Sequence, residues 1–390
     1  MIKILHCADL HLDSPFASDG IDHAQVRRNE LRGAFSSLIT YVKMSHIDLL
    51  LIAGDMFDRE FVTIDTMNFV AREFASIPDC KIVISPGNHD PYSENSPWQR
   101  TSFPENVHIF TSEALAFFSF EELGCEVYGY AFTSPGLDHF PAAARKPRRY
   151  DTINILLAHA DMTSPYSTSA PINEADIEQS GFDYVALGHI HNSSGIRQAG
   201  NTYYAYSGCL EGRDFGECGY KGAIIGTLDK KSGILSADLA GKRFSRRRFA
   251  AEQLDLTGCT DRETLVTSLL KCITDHHYGE DTQLRITLEG AVSPTLPIRT
   301  APLAEALREN THLFSLELID HTSPLFDADA LERDFSIRGA FFKELKPKLT
   351  DPDPQIRATA AAALRMGLAA LSGAELGADL SGEQKQSLIK

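Results

Sequence analysis

Short apolar runs, each followed by a turn-forming or polar residue, recur through the first half of the chain. These runs occupy residues 1–5, 47–53, 81–85, 153–158 and 182–187. Continuous apolar runs of this length, bounded by turn residues, are typical of strands that are buried on both faces. The pattern therefore predicts a sheet whose strands are covered by other layers of the protein.

Segments with helical periodicity separate these predicted strands. One helix is predicted near residues 23–45, with Val26, Leu31 and Phe35 among its apolar positions, and a second near residues 62–77. Alternation of strand, helix and strand predicts a layered α/β domain. Aromatic and β-branched segments with glycine turns near residues 116–132 and 202–240 predict further sheet.

The pattern changes near residues 249–255 and predicts a small second domain. A helix over 261–273, with Asp261 as its cap, lies between this segment and a strand over 283–288. A helix over 302–309 and a strand over 314–319 complete a β-α-β-α-β order. We therefore expect domains at residues 1–248 and 249–326, followed by a C-terminal helical region at residues 327–390.

Two helices are predicted in this C-terminal region. The first covers residues 330–345, with Leu331 and Phe335 available for burial, and Pro347 is expected to break it. The second, over residues 355–371, is rich in alanine and ends at Ser372 and Gly373. These helices could pack on their own protein, on a second copy of the chain, or on a partner coiled coil.

Polar side chains with ligand chemistry follow the predicted strands. They are Asp9, His11, Asp55, Asn88, His89, His159, His189 and His191. Ligands that follow parallel strands gather beyond one edge of the sheet. Carboxylate, amide oxygen and imidazole suit divalent ions such as manganese, iron or zinc. Two such ions, about 3.5–4 Å apart, can clamp a phosphate and activate a water for in-line attack.

Individual residues in this set have different expected roles. Asp55 follows the tight Gly54 turn and is the candidate to bridge two ions. His89 adjoins Asn88 and is the candidate to protonate the leaving oxygen or stabilise the transition state. Asp13 and Asp90 are candidates to orient neighbouring ligands, or they terminate strands. Each motif alone is weak, since Gly-Asp is usually a turn, so the ordered combination carries the inference.

The ordered motifs resemble the calcineurin-like metallophosphoesterase superfamily. The segments HCADLHLDSPF, LLIAGDMFDRE, ISPGNHDPY, VALGHIHN and YAYSGCLEGRDFGECGYKGAIIG resemble the SbcD-type DNA exonucleases, particularly the YhaO-like branch. The motifs cover roughly residues 1–228. The resemblance implies a two-sheet sandwich flanked by helices, with residues 249–326 as a capping domain that limits DNA access. It also implies that residues 327–390 dock an SbcC-like coiled-coil ATPase.

The resemblance also implies how the ligands are shared between two divalent ions. One ion would be held by Asp9, His11, Asp55 and His191, and the other by Asp55, Asn88, His159 and His189. His89 would be the catalytic histidine. Manganese is the expected metal, with iron, zinc and magnesium as alternatives. Asp58 stands where some relatives carry histidine and receives no catalytic role, while Cys209 replaces a common Ser or Asn as a packing change.

Composition narrows the class of protein. A net charge of −16 argues against a general nucleic-acid coat protein. Two basic clusters could still meet a phosphate backbone or could simply be solvated: residues 145–149 and residues 246–248. The seven cysteines form no Cys-x-x-Cys, no apolar run reaches membrane-spanning length, and the first residues do not resemble a signal peptide. We therefore expect a cytoplasmic protein with no membrane association.

Together these features predict a two-metal-dependent DNA exonuclease of DNA repair that acts with an SbcC-like ATPase. A phosphodiesterase or phosphatase for small nucleotides or phosphoproteins is the alternative within the enzyme class. A non-catalytic scaffold protein of an ATPase complex is the alternative of another class. The sequence leaves open the physiological metal, the strand polarity, the balance of exonuclease and endonuclease activity, and whether a homodimer forms.

Overall fold

The computed structural model describes residues 1–16, 20–58, 62–143, 145–293 and 296–371. The chain divides into two compact units, Met1–Phe249 and Ala250–Lys390. The predicted helix end at Ser372 and Gly373 lies outside the described residues. Within the described ranges, no helix has both the length and the hydropathy needed to cross a bilayer.

Two six-stranded sheets form the first unit. Their strands are β1 (Ile2–Cys7), β2 (Leu49–Ile52), β3 (Lys81–Ile84), β4 (Val107–Ile109), β5 (Ala116–Phe120), β6 (Cys125–Gly129), β7 (Ile153–His159), β8 (Tyr184–Gly188), β9 (Arg197–Ala199), β10 (Thr202–Tyr206), β11 (Gly222–Lys231) and β12 (Ile234–Arg243). The first sheet has the order β12-β11-β1-β2-β3-β4, and the second has the order β5-β6-β7-β8-β10-β9.

The central strands of both sheets are parallel. In the first sheet β1, β2, β3 and β4 pair in parallel, and in the second β6, β7, β8 and β10 do the same. The carboxyl ends of parallel neighbours lie at the same edge of a sheet. The loops that follow β1, β2, β3, β7 and β8 therefore start from common edges, and these loops carry the predicted ligands.

Side chains of successive residues in these strands enter two different cores. Ile4 in β1 and Leu49 in β2 belong to the core that also contains Val127 of the second sheet. Their neighbours Leu5 and Leu50 belong to the core beneath the helices. The prediction of strands buried on both faces is thus confirmed, as is the two-sheet sandwich flanked by helices.

Four helices accompany these sheets among the described residues: α1 (Gly20–Ser45), α2 (Ile64–Ala75), α3 (Pro97–Arg100) and α4 (Glu174–Ser180). Leu31 and Phe35 of α1 pack with Phe74 of α2 in one buried cluster. Val26, predicted on the same face, is 40% exposed. It lies five residues before Leu31, which rotates it by about 140° from the buried face.

The second unit contains a small sheet and five described helices. Its strands are β13 (Arg248–Asp255), which begins at the boundary, β14 (Thr282–Glu289), β15 (Ala291–Val292), β16 (Ser315–Asp320) and β17 (Ser323–Pro324). Its helices are α5 (Arg262–Asp275), α6 (Thr300–Thr311), α7 (Ala328–Arg333), α8 (Ile337–Leu349) and α9 (Pro354–Leu371). The main sheet has the order β13-β14-β16, and Asp261 caps α5 by accepting a hydrogen bond from the Thr264 amide.

The predicted helix over residues 330–345 is wrong in three respects. The segment forms α7 and α8, because Asp334 accepts hydrogen bonds from Ser336, and Ser336 then caps α8. Phe335 lies in this break and is fully exposed rather than buried. Pro347 does not break the helix but lies inside the last turns of α8, which ends at Leu349.

Candidate metal centre

The predicted ligands meet beyond the strand ends of the first unit. Potential ligand atoms lie within 4.8 Å of one another in three overlapping groups: Asp9, His11 and His191; Asp9, Asp55 and His159; and His11, Asp58 and His89. The loops after β1, β2 and β3 come from the first sheet, whereas His159 ends β7 and His191 follows β8 of the second. Both sheets therefore contribute to one centre.

The loops approach each other so closely that two positions exclude a side chain. A Cβ on Gly188 would lie 1.8 Å from the Ala53 carbonyl oxygen, and a Cβ on Gly54 would lie 2.4 Å from His159 Nδ1. Gly54 also has a φ of 88°, which favours glycine. The Ala53 backbone at Gly188 and the His159 side chain at Gly54 explain why a glycine precedes His189 and Asp55.

Several of the ligand residues have left-handed backbone. The φ angles of Asp9, His11 and Asp55 are 53°, 45° and 50°. This conformation costs an ordinary residue about 1–2 kcal/mol and persists where the surrounding structure holds it. Here the Asp9 amide donates to the Gly54 carbonyl and the His11 amide donates to the Asp55 carbonyl, each at 3.0 Å.

His11 and His191 direct their Nε2 atoms toward each other. His11 Nδ1 lies 2.7 Å from Asp58 Oδ1, and His191 Nδ1 bonds to a Glu217 carboxylate oxygen. A carboxylate only accepts, so it favours a proton on Nδ1 and leaves Nε2 as the nitrogen available to a metal, although Arg213 also lies 3.1 Å from His191 Nδ1. The two Nε2 atoms are 3.3 Å apart. A cation could accept both Nε2 atoms as ligands together with Asp9, so these residues fit a metal ion.

A second set of acceptor atoms converges around His159. His159 Nδ1 donates to the Ala53 carbonyl at 2.9 Å, which directs Nε2 into the centre. Nε2 lies 2.8 Å from Asn88 Oδ1 and 3.3 Å from Asp55 Oδ2. Asp55 Oδ2 is also 3.8 Å from His11 Nε2. One oxygen of Asp55 thus lies between the two groups of ligand atoms. The group around His159 also fits a cation.

The electrostatics of the centre favour a positive charge between His159 and Asp55. Burial opposes the charged form of His159, but Asp55 and Asp9 outweigh it and raise the pKa of His159 to about 9. Burial likewise opposes ionisation of Asp55, yet His159 and His11 hold the pKa of Asp55 below its usual range. Without a metal, a proton on His159 provides this positive charge. A bound divalent ion would provide it instead.

His189 is held by the first predicted ligand. Its backbone amide donates to both carboxylate oxygens of Asp9, at 3.0 and 3.1 Å. Its Nε2 lies 3.8 Å from Asp161 Oδ2. Burial and the neighbouring His159 lower the pKa of His189, which favours the neutral imidazole that binds metals. Asp161 is not among the residues that the sequence predicts, because it follows the β7 motif without a motif of its own.

His89 lies at the accessible side of the centre. Its side chain is 51% exposed, and its Nδ1 lies 3.0 Å from Asp58 Oδ1, the same oxygen that holds His11. The hydrogen bond to Asp58 raises the pKa of His89. Burial opposes ionisation of Asp58, but its bonds to both histidines hold the pKa of Asp58 below its usual range. Asp58 therefore positions a predicted ligand and the predicted catalytic histidine together.

Two further polar residues support the centre from the loop between β10 and β11. The Arg213 amide donates to Glu217 Oε2 at 2.7 Å, and the Arg213 guanidinium lies 3.8 Å from Asp58 and 3.6 Å from Glu217. Arg213 thus lies between the carboxylates that hold His11 and His191. Cys209 is buried with its Sγ 3.6 Å from Glu217 Oε2. In the sequence, only the GRDFGE motif of this loop could have indicated a role for Arg213 and Glu217.

The two carboxylates predicted to orient ligands have different surroundings. Asp90 accepts hydrogen bonds from the amides of Met56 and Gly87, at 2.8 and 2.7 Å, and so joins the loops that carry Asp55 and Asn88. Burial, with Asp55 nearby, raises the pKa of Asp90 to about 7.

Asp13 lies in a different network. It accepts hydrogen bonds from Arg32 at 3.2 Å and from the amide and hydroxyl of Thr63 at 3.0 Å. These bonds connect α1 with the N-terminus of α2. Asp13 therefore supports the helices, and its role as an orienting group for a ligand or as a strand terminator stays a prediction.

The predicted basic clusters are partly engaged with the protein itself. Arg149 forms ion pairs with Glu121 and Asp151, and Arg247 forms one with Glu30. These pairs reduce the positive charge that each cluster offers to a nucleic acid. Arg248 differs, because its guanidinium carbon lies 4.9 Å from the centre of the Tyr220 ring.

Residues 2–193 match the family model described as "Calcineurin-like phosphoesterase". With the two-sheet fold and the converging ligands, this match establishes that the segment is a calcineurin-like metallophosphoesterase domain. The superfamily resemblance in the motifs is thereby confirmed. Domains of this family use a dinuclear divalent metal site, and both groups of ligand atoms described above fit such ions.

Similar curated proteins agree with the SbcD-type, YhaO-like resemblance. The chain is 30% identical over 237 residues to "Uncharacterized metallophosphoesterase YhaO" of Bacillus subtilis, covering 57% of each chain. It is 24% identical to "DNA double-strand break repair protein Mre11" of Saccharolobus solfataricus, covering 60% of this chain and 63% of that protein. It is 27% identical to a subunit of the nuclease SbcCD of Bacillus subtilis, covering 60% and 67%. The chain thus spans less than two thirds of the first two relatives.

Proposed function

We propose that this chain is a two-metal-dependent DNA exonuclease that hydrolyses phosphodiester bonds and acts in DNA repair. The observation that supports the hydrolytic centre most directly is the pair of facing Nε2 nitrogens of His11 and His191, 3.3 Å apart. The names of two relatives support the substrate, since one is a DNA double-strand break repair protein and the other belongs to a nuclease.

The proposed centre divides its ligands between two sites that share Asp55. One site comprises Asp9, His11, Asp55 and His191, and the other comprises Asp55, Asn88, His159 and His189. When bound, two divalent ions would neutralise the phosphoryl oxygens and lower the pKa of an attacking water. Manganese is the first candidate, followed by iron, zinc and magnesium. The donor set of imidazole and oxygen atoms suits each of the four.

His89 is proposed as the catalytic acid. It is half exposed beside the ligands, and the Asp58 hydrogen bond that raises its pKa favours the protonated ring. Nδ1 is engaged with Asp58, so Nε2–H is the group that can face a substrate. A protonated imidazole at this position would donate to the leaving oxygen or stabilise the charge that develops on the phosphoryl group.

Cleavage of two substrates by the purified chain tests this function. We expect manganese to support degradation of end-labelled linear DNA and hydrolysis of bis-nitrophenyl phosphate, and His89→Ala to slow DNA cleavage by about 100-fold or more. His139→Ala is the matched control, since His139 is exposed and contacts the adjacent Asp138.

Two results would contradict the proposal. If the small ester is hydrolysed but DNA stays intact with and without an ATPase partner, the chain is a phosphodiesterase of another substrate class. If no phosphoester is cleaved with any of the four metals, the scaffold alternative is supported.

We further propose the finer division of the chain into residues 1–248, 249–326 and 327–390, with the last region docking an SbcC-like ATPase. The described part of that region exposes apolar side chains: Phe335 is fully exposed and Ile337 is 74% exposed. We expect the double substitution Phe335→Ser and Ile337→Ser to abolish co-purification with the ATPase while ester hydrolysis continues. Met44→Ser, at a residue 75% exposed on α1, is the control. Unchanged co-purification, or a homodimer lost instead, would reject ATPase docking.

A further inference from the structure

A cavity of about 370 Å³ lies beside the loop that carries His191. Its lining includes Asn192, Ser207, Tyr220, Lys221, Lys242 and Arg243. We call this cavity the Lys221 pocket. It lies within the first unit, and the metal ligand His191 is followed directly by the lining residue Asn192. A ligand in this pocket would therefore be a close neighbour of the metal centre.

The ammonium group of Lys221 is buried without a counter-charge. Lys221 is only 6% exposed, and its Nζ donates to the amide oxygen of Asn192. Among the residues that the structure describes, no carboxylate forms an ion pair with Lys221. Lys230 shows the usual arrangement, because its side chain is 5% exposed and its Nζ lies 2.7 Å from Asp183. A buried charge normally requires such a partner, and an anion bound in the Lys221 pocket would supply one.

Asn192 fixes the direction of Lys221 toward the metal-ligand loop. The Asn192 amide nitrogen donates to the Gly216 carbonyl at 3.2 Å, which leaves its oxygen for Lys221. The His191 carbonyl in turn accepts the Cys209 amide at 3.0 Å. Both hydrogen bonds hold the loop in place. The ammonium group is therefore positioned relative to the ligand His191 by a short, bonded stretch of backbone.

The lining also provides a second cation and an aromatic surface. The Arg243 guanidinium carbon lies 3.5 Å from the centre of the Tyr220 ring, and Arg243 Nε donates to the Ser245 carbonyl at 3.1 Å. Arg248 also lies against the Tyr220 ring, which is itself 42% exposed. Cations beside an exposed ring are the combination that binds the phosphates and bases of single-stranded nucleic acids.

We propose that the Lys221 pocket is a second phosphate site, which binds a backbone phosphate of a nucleic-acid strand next to the phosphate at the metal centre. The identity of the strand as substrate rests on the proposed function. The phosphate would supply the negative charge that Lys221 lacks, with Arg243 as a second donor. In a chain of net charge −16, such local cations have to hold each phosphate individually.

The first test is thermal stability without any ligand. We expect Lys221→Met to leave the unfolding midpoint unchanged or raise it, since it removes an uncompensated buried charge and keeps an unbranched side chain. Lys230→Met is the matched control and should lower the midpoint, because it removes the ion-pair partner of the Asp183 carboxylate. A clear fall of the midpoint in Lys221→Met would assign Lys221 to the stability of the fold and overturn the proposal.

The second test is equilibrium binding of a fluorescent single-stranded oligonucleotide to the full chain in EDTA. We expect Lys221→Met to weaken binding by about 10-fold. The slope of log affinity against log salt should fall by about 0.7, the contribution of one phosphate contact. The control Lys231→Met, at an exposed lysine at the far end of β11, should bind as the unsubstituted chain does.

The outcomes separate this proposal from the proposed function. An unchanged affinity and salt slope in Lys221→Met would overturn the phosphate site. If inorganic phosphate stabilises the unsubstituted chain but not Lys221→Met, while both bind the oligonucleotide equally, the pocket takes free phosphate and the nucleic-acid site is wrong. Binding is measured without metal, so it does not depend on cleavage. Failure to cleave DNA would contradict the proposed function. A loss of binding in Lys221→Met would still support the pocket.

Discussion

At the scale of single residues, carboxylates determine which nitrogen of each histidine faces the metal centre. Asp58 bonds to Nδ1 of His11 and of His89, and Glu217 bonds to Nδ1 of His191. Each bond fixes a ring orientation and raises the basicity of the opposite nitrogen. The carboxylates therefore direct Nε2 of His11 and of His191 into the centre, and the bond from Asp58 raises the pKa of His89.

Glu217→Gln tests this arrangement. An amide at this position can also donate, so it no longer enforces the Nε2 lone pair of His191. We expect metal affinity, measured by calorimetric titration of manganese into the metal-free chain, to fall by about 10- to 100-fold. Glu122→Gln, at an exposed residue paired with Lys81, is the control and should have no effect. Equal affinities in all three proteins would contradict the orienting role of Glu217.

His6 gives a pH dependence that is separate from the metal centre. It bonds to Tyr184 and to the Leu187 carbonyl, and burial lowers its pKa from 6.5 to about 3. The unfolded chain therefore binds a proton that the folded chain does not, so the stabilising contribution is complete above pH 6.5 and is lost as the pH falls toward about 3. The slope approaches about 1.4 kcal/mol per pH unit.

His6→Gln should remove this slope. We expect the free energy of unfolding of the metal-free variant, from urea titrations, to fall less steeply than that of the unsubstituted chain between about pH 6.5 and pH 5. The variant can be less stable at neutral pH and still show the flatter profile. Parallel profiles for the two proteins would show that His6 is not buried in its neutral form.

At the scale of elements, strand ends bring the ligands together and small residues allow the loops to touch. The Gly188 position ends β8 against the backbone of Ala53, which follows β2 of the other sheet. This contact joins the two sheets at the edge where the ligands lie. Its geometry depends on space alone, because Gly188 is not among the residues with positive φ.

Gly188→Ala should therefore destabilise the first unit. The added Cβ would lie 1.8 Å from the Ala53 carbonyl oxygen, and the backbone can relieve this overlap only by moving the sheets apart. We expect a loss of more than about 2 kcal/mol in the free energy of unfolding. Gly33→Ala in α1, where a Cβ would meet nothing within 4 Å, should be neutral or slightly stabilising. Similar stabilities for both variants would refute the close contact.

Elements with a strong hydrophobic periodicity were predictable from the sequence, and those determined by tertiary contacts were not. Leu49 and Leu50 enter different cores, as a continuous apolar run in a buried strand requires. The break between α7 and α8 depends instead on local bonds of Asp334 and Ser336, which the apolar spacing conceals. Glu217 reaches the centre from a loop without periodicity, so only the folded chain reveals its contact with His191.

At the scale of the whole molecule, the chain consists of two compact units, and the metal centre belongs to one of them. The only tryptophan, Trp98, lies in the same unit and is buried against Phe57. Fluorescence of Trp98 therefore reports unfolding of the unit that would bind metal. The second unit has its own buried cluster and contains no tryptophan, so the fluorescence of Trp98 does not report its unfolding.

Manganese should stabilise the unit that contains Trp98. At a free concentration of about 100 times the dissociation constant, one site contributes about 2.7 kcal/mol to the free energy of unfolding. We expect this shift in Trp98 fluorescence for the unsubstituted chain and a much smaller one for the double variant His11→Ala and His191→Ala. A shift of equal size in both proteins would place the metal elsewhere.

The central claim is that two metal ions lie on either side of the Asp55 carboxylate. Anomalous X-ray diffraction from crystals of the full chain grown with manganese tests it most directly. We predict two anomalous peaks, about 3.5–4 Å apart, one next to His11 and His191 and the other next to Asn88 and His159. A single peak, or peaks remote from Asp55, would contradict the account.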